Sequence, residues 1–120
     1  MINIRSLLEN YILNTEEFIS DYDVKYIEFI SNNFEVIDNN NYILDCHGLI
    51  KKELLYFLLF FDTLNLKCKL TLISGHGKYS FKKLKVISTL KDIIYYYYTK
   101  TKRKCVLKED FGIIIIKYMN

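Results

Sequence analysis

The spacing of apolar positions divides the chain into short segments of differing period. Over 4–13 (IRSLLENYIL) and about 22–33 (YDVKYIEFISNN) apolar residues recur at helical intervals, Val24, Ile27 and Ile30 among them, and predict two helices. Asp21 or Asp23 is a candidate cap for the second. The polar stretch EVIDNNN, ending at Asn41, reads as a joint. From residue 42 strand and helix alternate. YILDC (42–46) predicts a strand, LIKKELLYFLLFFDTL (49–64) a helix and KCKLTLIS (67–74) a second strand. SFKKLKVISTLK (80–91) predicts a helix with Phe81, Leu84, Ile87 and Leu90 along one side and Lys82, Lys83 and Lys85 away from it. The β-branched and aromatic run IIYYYYTKT (93–101) predicts a third strand and GIIIIKYM (112–119) a fourth, with a polar turn between them.

The resulting βαβαββ order predicts an α/β fold with a mixed four-stranded sheet, in which a helical crossover joins two parallel strands. Strands 42–46 and 67–74 then end on the same edge. The helix at 49–64 is apolar nearly all round and has to be covered on more than one side. The N-terminal helices or a second copy of the chain are the two sources of cover, so self-association through this helix is one expectation.

Charge sharpens the division at the joint. Residues 1–41 hold two basic and eight acidic groups, net −6, whereas 42–120 hold 15 basic and six acidic, net +9. An acidic helical extension (1–41) therefore precedes a basic α/β domain (42–120), and the second part carries the footprint of a polyanion partner. The competing reading is a charge asymmetry with no nucleic acid attached. Cys46, Cys68 and Cys105 are odd in number and widely spaced, which fits neither a disulfide framework nor a zinc pattern. The first ten residues carry Arg5 and Glu9 and do not read as a secretory signal. The longest apolar block, 54–61, is eight residues, against the roughly 20 that a spanning helix needs. A soluble cytoplasmic protein with no membrane partner is expected.

Two polar groups fall at the C-terminal ends of the paired strands: Asp45-Cys46-His47-Gly48, and Ser74-Gly75-His76-Gly77-Lys78-Tyr79-Ser80. Their separation is the length of one βαβ unit, about 30 residues. Period-2 geometry sets Asp45 and His47 on one side of the strand, where the carboxylate orients the imidazole. An imidazole titrates near neutrality and serves as general base or acid. The plainer reading is an Asp that caps the next helix beside an exposed His. In the second group, glycines let backbone approach an anion at a helix N-terminus, with Lys78, Lys82, Lys83 and Lys85 adding positive charge; a simple tight turn is the alternative.

These residues resemble the Smr (small MutS-related) domain family. Its signature is a strand ending L-D-x-H-G, then a helix and strand, then [T/S]-G-x-G, an L-K pair in the next helix, and a glycine before the last strand. LDCHG (44–48), SGHGKYS (74–80), Leu84-Lys85 and Gly112 fall in that order, and the resemblance covers 42–119. Tyr79 stands where His is common, Cys46 where Leu is frequent, and the segment from Ser80 to Leu84 is shorter than usual. The resemblance implies a two-layer α/β sandwich that binds nucleic acid and in many members cleaves DNA or RNA, including messenger RNA on stalled ribosomes. It implies His47 as the acid/base group, Asp45 as its orienter, and Gly75 and Gly77 as a backbone cradle for phosphate.

RNA is favoured over DNA on chemical grounds. RNA scission supplies its own nucleophile, the 2′-hydroxyl, and needs no metal or cofactor, whereas one convincing histidine is a thin inventory for DNA hydrolysis. A straight strand at 95–104 would further place Tyr96, Tyr98, Lys100, Lys102 and Lys104 on one face, rings for bases and charges for phosphates. A solvated edge strand is the competing view. Three functions follow from the sequence: a metal-independent endoribonuclease, a catalytically silent module that binds RNA or a ribonucleoprotein surface, and a scaffold that docks through its acidic helices.

Overall fold

The computed structural model describes residues 2–15, 21–74, 80–101, 103–110 and 112–119, with the backbone alone described at 21–23, 80–89 and 110. The chain is a mixed α/β fold with four helices and a five-stranded mixed sheet. In chain order the elements are α1 (Ile4–Asn14), α2 (Asp21–Asn33), β1 (Phe34–Asp38), β2 (Asn41–Asp45), α3 (Lys51–Thr63), β3 (Lys69–Ile73), α4 (Ser80–Lys100), β4 (Cys105–Asp110) and β5 (Ile113–Tyr118). The sheet order is β1-β2-β3-β5-β4, with β2 and β3 parallel and the remaining neighbours antiparallel. Among the described residues no helix is long and apolar enough to cross a membrane.

Two expectations are corrected. The joint before residue 42 contains a strand: Phe34 and Val36 point to the core side, Glu35 and Ile37 away, and β1 forms a hairpin with β2. Asp38 closes its turn, accepting from the Asn40 amide at 2.8 Å and the Asn41 side chain at 2.7 Å, bonds that hold its carboxyl below the usual range. The boundary expected after residue 41 falls one residue into β2, the strand that pairs with β1, and the sheet has five strands rather than four.

The second correction concerns 93–101, which is helix rather than strand. Local propensity there favours β structure, but Leu90, Ile94 and Tyr98, spaced by four, are all buried along one face of α4, and no glycine or proline interrupts the run. Burial of that face outweighs a preference that amounts to about 1 kcal/mol across the whole scale. Polar contacts fix the end of the helix. The Tyr97 hydroxyl donates to Asp62 at 2.5 Å, the Tyr98 and Tyr118 hydroxyls are hydrogen-bonded, and Arg103 lies 4.3 Å over the Tyr118 ring. Burial raises the Asp62 carboxyl above its ordinary range, while the Tyr97 hydroxyl and Arg103 pull against it. The third strand of the sequence reading is instead β4, at 105–110, inside the segment expected to be a turn.

The core lies on one face of the sheet. Tyr42, Leu44, Leu70, Leu72, Ile114, Ile116 and Tyr118 are buried there against α3 and α4, through contacts such as Phe61 on Tyr42 and Tyr98 on Tyr118. The apolar α3 is covered from another side by the N-terminal helices. Tyr11 packs on Tyr56 and Phe60, and Tyr26 on Tyr56, with ring centroids 5.4–5.8 Å apart. Ile4, Leu8, Ile12, Tyr26, Ile27 and Ile30 join the same buried cluster as the sheet. The proposed caps Asp21 and Asp23 have side chains outside the described set.

Candidate active site

Asp45 is the last residue of β2, and the chain then turns through Cys46, His47 and Gly48 into α3, with the Leu49 amide donating to the Cys46 carbonyl at 3.0 Å. Pairing sets Asp45 opposite Ile73, and the Cys46 amide donates to the Ile73 carbonyl at 2.9 Å, so the turn and the end of β3 are fixed side by side. One carboxylate oxygen, Asp45 Oδ1, accepts from the His47 amide at 3.1 Å and meets His47 Nδ1 at 2.6 Å. An ionised carboxylate only accepts, so Nδ1 carries the proton and Nε2 is left to exchange one with a bound molecule. Both side chains are reachable from solvent, at 58% exposure for His47 and 43% for Asp45. His47 thus lies in the turn rather than on the strand, and the Asp45 contact fixes its orientation.

Gly48 has a structural reason for being glycine. A Cβ there would lie 2.5 Å from Cε2 of Phe29, so the half-buried ring of α2 closes directly against the turn that carries His47. Sequence reasoning assigned Gly48 to the site but not Phe29, because the contact joins residues far apart in the chain. The N-terminal helices therefore buttress the Asp45–His47 turn as well as covering α3.

Ser74, at the end of β3, is buried; its amide and hydroxyl both donate to the Gly112 carbonyl, at 2.8 and 3.1 Å. Gly112 takes a φ of 78°, a left-handed conformation in which glycine is unstrained, and this turn delivers its carbonyl to Ser74. Ser74 accordingly anchors the segment that follows it, with its one hydroxyl proton engaged inside the fold. Gly75, His76, Gly77, Lys78 and Tyr79 lie outside the described residues, as does Lys102. Ser80, Lys82, Lys83 and Lys85 belong to the first turns of α4, where only the backbone is described.

The tyrosine and lysine face expected at 95–104 does not exist as a strand. In the helix Tyr98 is buried and Tyr96 is exposed, and Lys100 sits 5.7 Å over the Tyr96 ring. Lys100 ends α4, which runs about 1.5 Å per residue away from the β3 edge, so it stands far from Asp45 and His47. What the fold brings together is Asp45, His47, Gly48, Ser74 and Gly112, with the start of α4 following within the chain.

Cys46, between Asp45 and His47, is not a second reactive group. It is fully buried, and burial, with the Asp45 charge beside it, pushes its thiol up to about 12. Cys68 is pushed up to about 11, also by burial. Thiolate, not thiol, reacts with alkylating agents. The native protein is expected to leave Cys46 and Cys68 unmodified by iodoacetamide at mildly alkaline pH, and to label both after denaturation, as read by mass spectrometry. Rapid labelling of Cys46 in the native state would contradict this burial.

Among the described residues no three His, Cys, Asp or Glu side chains converge to hold a metal ion. Comparison of the chain with protein-family models, with curated proteins and with solved structures finds no match.

Proposed function

We propose that this protein is a metal-independent endoribonuclease in which His47 is the acid/base group and Asp45 holds its tautomer. The observation that carries the reading is the 2.6 Å Asp45–His47 contact, solvent-reachable and set at the shared C-terminal edge of the parallel strands β2 and β3. Ligands of open α/β sheets bind outside the carboxyl ends of the strands. The motifs LDCHG and SGHGKYS are similar to those of the Smr family, and the second adds two glycines, Gly75 and Gly77, to the sequence that follows Ser74.

The reaction follows from the donor set. Nε2 of His47 takes the proton of a ribose 2′-hydroxyl, the 2′-oxygen bonds to the adjacent phosphorus, and the bond from phosphorus to the 5′-oxygen breaks. That oxygen leaves with a proton returned to it, giving a 2′,3′-cyclic phosphate and a 5′-hydroxyl. The phosphorane calls for donors and positive charge, and the glycines and lysines that the sequence carries after Ser74 are the expected source. The cytoplasmic location and a ribosome-associated RNA belong to this reading through the Smr resemblance alone. DNA lacks the internal nucleophile.

The test is incubation of the purified protein with labelled single-stranded and structured RNA in EDTA, followed by analysis of product ends. Cyclic phosphate and 5′-hydroxyl termini are expected, with resistance at a 2′-deoxy position. Cleavage that requires added metal and accepts the deoxy substrate equally would overturn the mechanism. The second reading is a catalytically silent RNA-binding module. It is favoured by the single described partner of His47, and binding without any cleavage would select it.

A further inference from the structure

The face of the sheet turned away from the helices is apolar in its middle and basic toward one end. Alternation places Ile43, Thr71, Ile73, Ile113 and Ile115 on this face, all half-buried, with Ile37 and Val106 exposed at its margins. Asn41, Ile43 and Asp45 of β2 share it, so the carboxylate that holds His47 emerges at its upper edge. At the opposite edge Lys69 of β3 and Lys117 of β5 are direct cross-strand partners, and both are exposed. Lys67, two residues before β3, and Lys104 and Lys108, just before and within the neighbouring strand β4, are also exposed. Acidic groups share the face: Glu35 of β1 lies opposite Ile43 and Asp45 stands at the His47 end, while Asp38, in the β1–β2 turn, feels Lys69 only weakly beside the turn bonds that dominate its carboxyl.

Like charges directly opposite each other across a strand pair destabilise a sheet. Lys69 and Lys117 have no ion-pair partner among the described residues, and folding gains nothing from placing them together. We infer that this open sheet face is the track for a single-stranded RNA, gripped by phosphate contacts at Lys69 and Lys117 and led across the isoleucine floor to His47. The inference rests on the endoribonuclease reading and extends it by naming where the strand lies. From Lys69 the register runs to Asn41, and Asp45 is four residues further along β2, about 13 Å at the rise of an extended strand. A flexible strand spans that distance along the sheet, bases on the aliphatic side chains and phosphates toward the lysines.

The experiment measures binding of a labelled 2′-O-methyl oligonucleotide, which the proposed reaction cannot cleave, across a salt series. Each phosphate contact on a single strand contributes about 0.7 to the log–log slope. The double variant Lys69→Gln/Lys117→Gln should lose about 1.4 of slope and keep or raise its melting temperature, because the opposed charges are gone. Lys25→Gln, on α2, should leave the slope unchanged. Wild-type binding with an unaltered slope in the double variant overturns the track while leaving the RNA reading intact. An equal loss in Lys25→Gln overturns it as unspecific electrostatics. Polyglutamate bound as tightly, with the same sensitivity to Lys69 and Lys117, gives the face to an acidic protein. No binding by the wild type removes both the track and the RNA reading.

Discussion

His47→Ala should lower RNA cleavage about 10²- to 10⁴-fold, the range that a positioned proton transfer contributes, and leave RNA affinity nearly unchanged. The two effects separate because His47 is one exposed side chain in a turn, while charge attraction comes from the lysines of 42–120. Asp45→Asn tests the partner. The amide retains an oxygen able to accept from the His47 backbone but no longer provides an ionised acceptor for Nδ1. Its rate should fall by less than that of His47→Ala, with the melting temperature close to wild type. Equal cleavage by wild type and His47→Ala would return the Asp45–His47 pair to the role of a turn-closing contact.

A chain beginning at Asn41 should fail to give a soluble monomer. It lacks α1, α2 and β1, and so uncovers the side of α3 that Tyr11, Tyr26 and Phe34 close. Phe57 and Phe60, fully buried in the whole chain, would meet solvent, and re-exposing each such side chain forfeits about 1.5–3 kcal/mol. Against a total stability of about 5–15 kcal/mol, a few such losses decide the outcome. The hairpin partner of β2 is also gone, leaving its edge open to other chains. Aggregation or strong binding of a hydrophobic dye is the expected result, read by gel filtration and fluorescence. A soluble, cooperative truncation would mean that the first 40 residues are an independent arm for a partner.

The sequence announced the parts of the fold that are local and periodic. The helices α1, α2 and α3, and the strands β2, β3 and β5, follow from apolar spacing that packing then preserves. β1 is hard to read because it has only two inward residues, Phe34 and Val36, and the second lies inside the polar stretch EVIDNNN that reads as a joint. The second half of α4 was misread because consecutive Ile and Tyr residues favour strands locally, while the deciding information, burial of Leu90, Ile94 and Tyr98 on one stripe, is tertiary.

The candidate site divides in the same way. Asp45 and His47 were legible because a contact between residues two apart is written in the sequence itself. The closure of Phe29 on Gly48 and the opposition of Lys69 and Lys117 depend on helix placement and strand register, which single-chain patterns do not carry. Lys100 shows the converse: it was grouped with the site by a strand that is in fact a helix.

The most direct measurement is chemical rescue of His47→Ala by added imidazole, with RNA as substrate and EDTA present. If His47 moves the proton, the variant should be nearly inert alone and regain a rate that rises with imidazole concentration, with the same cyclic phosphate ends as the wild type. Undiminished cleavage by His47→Ala without imidazole would contradict the account.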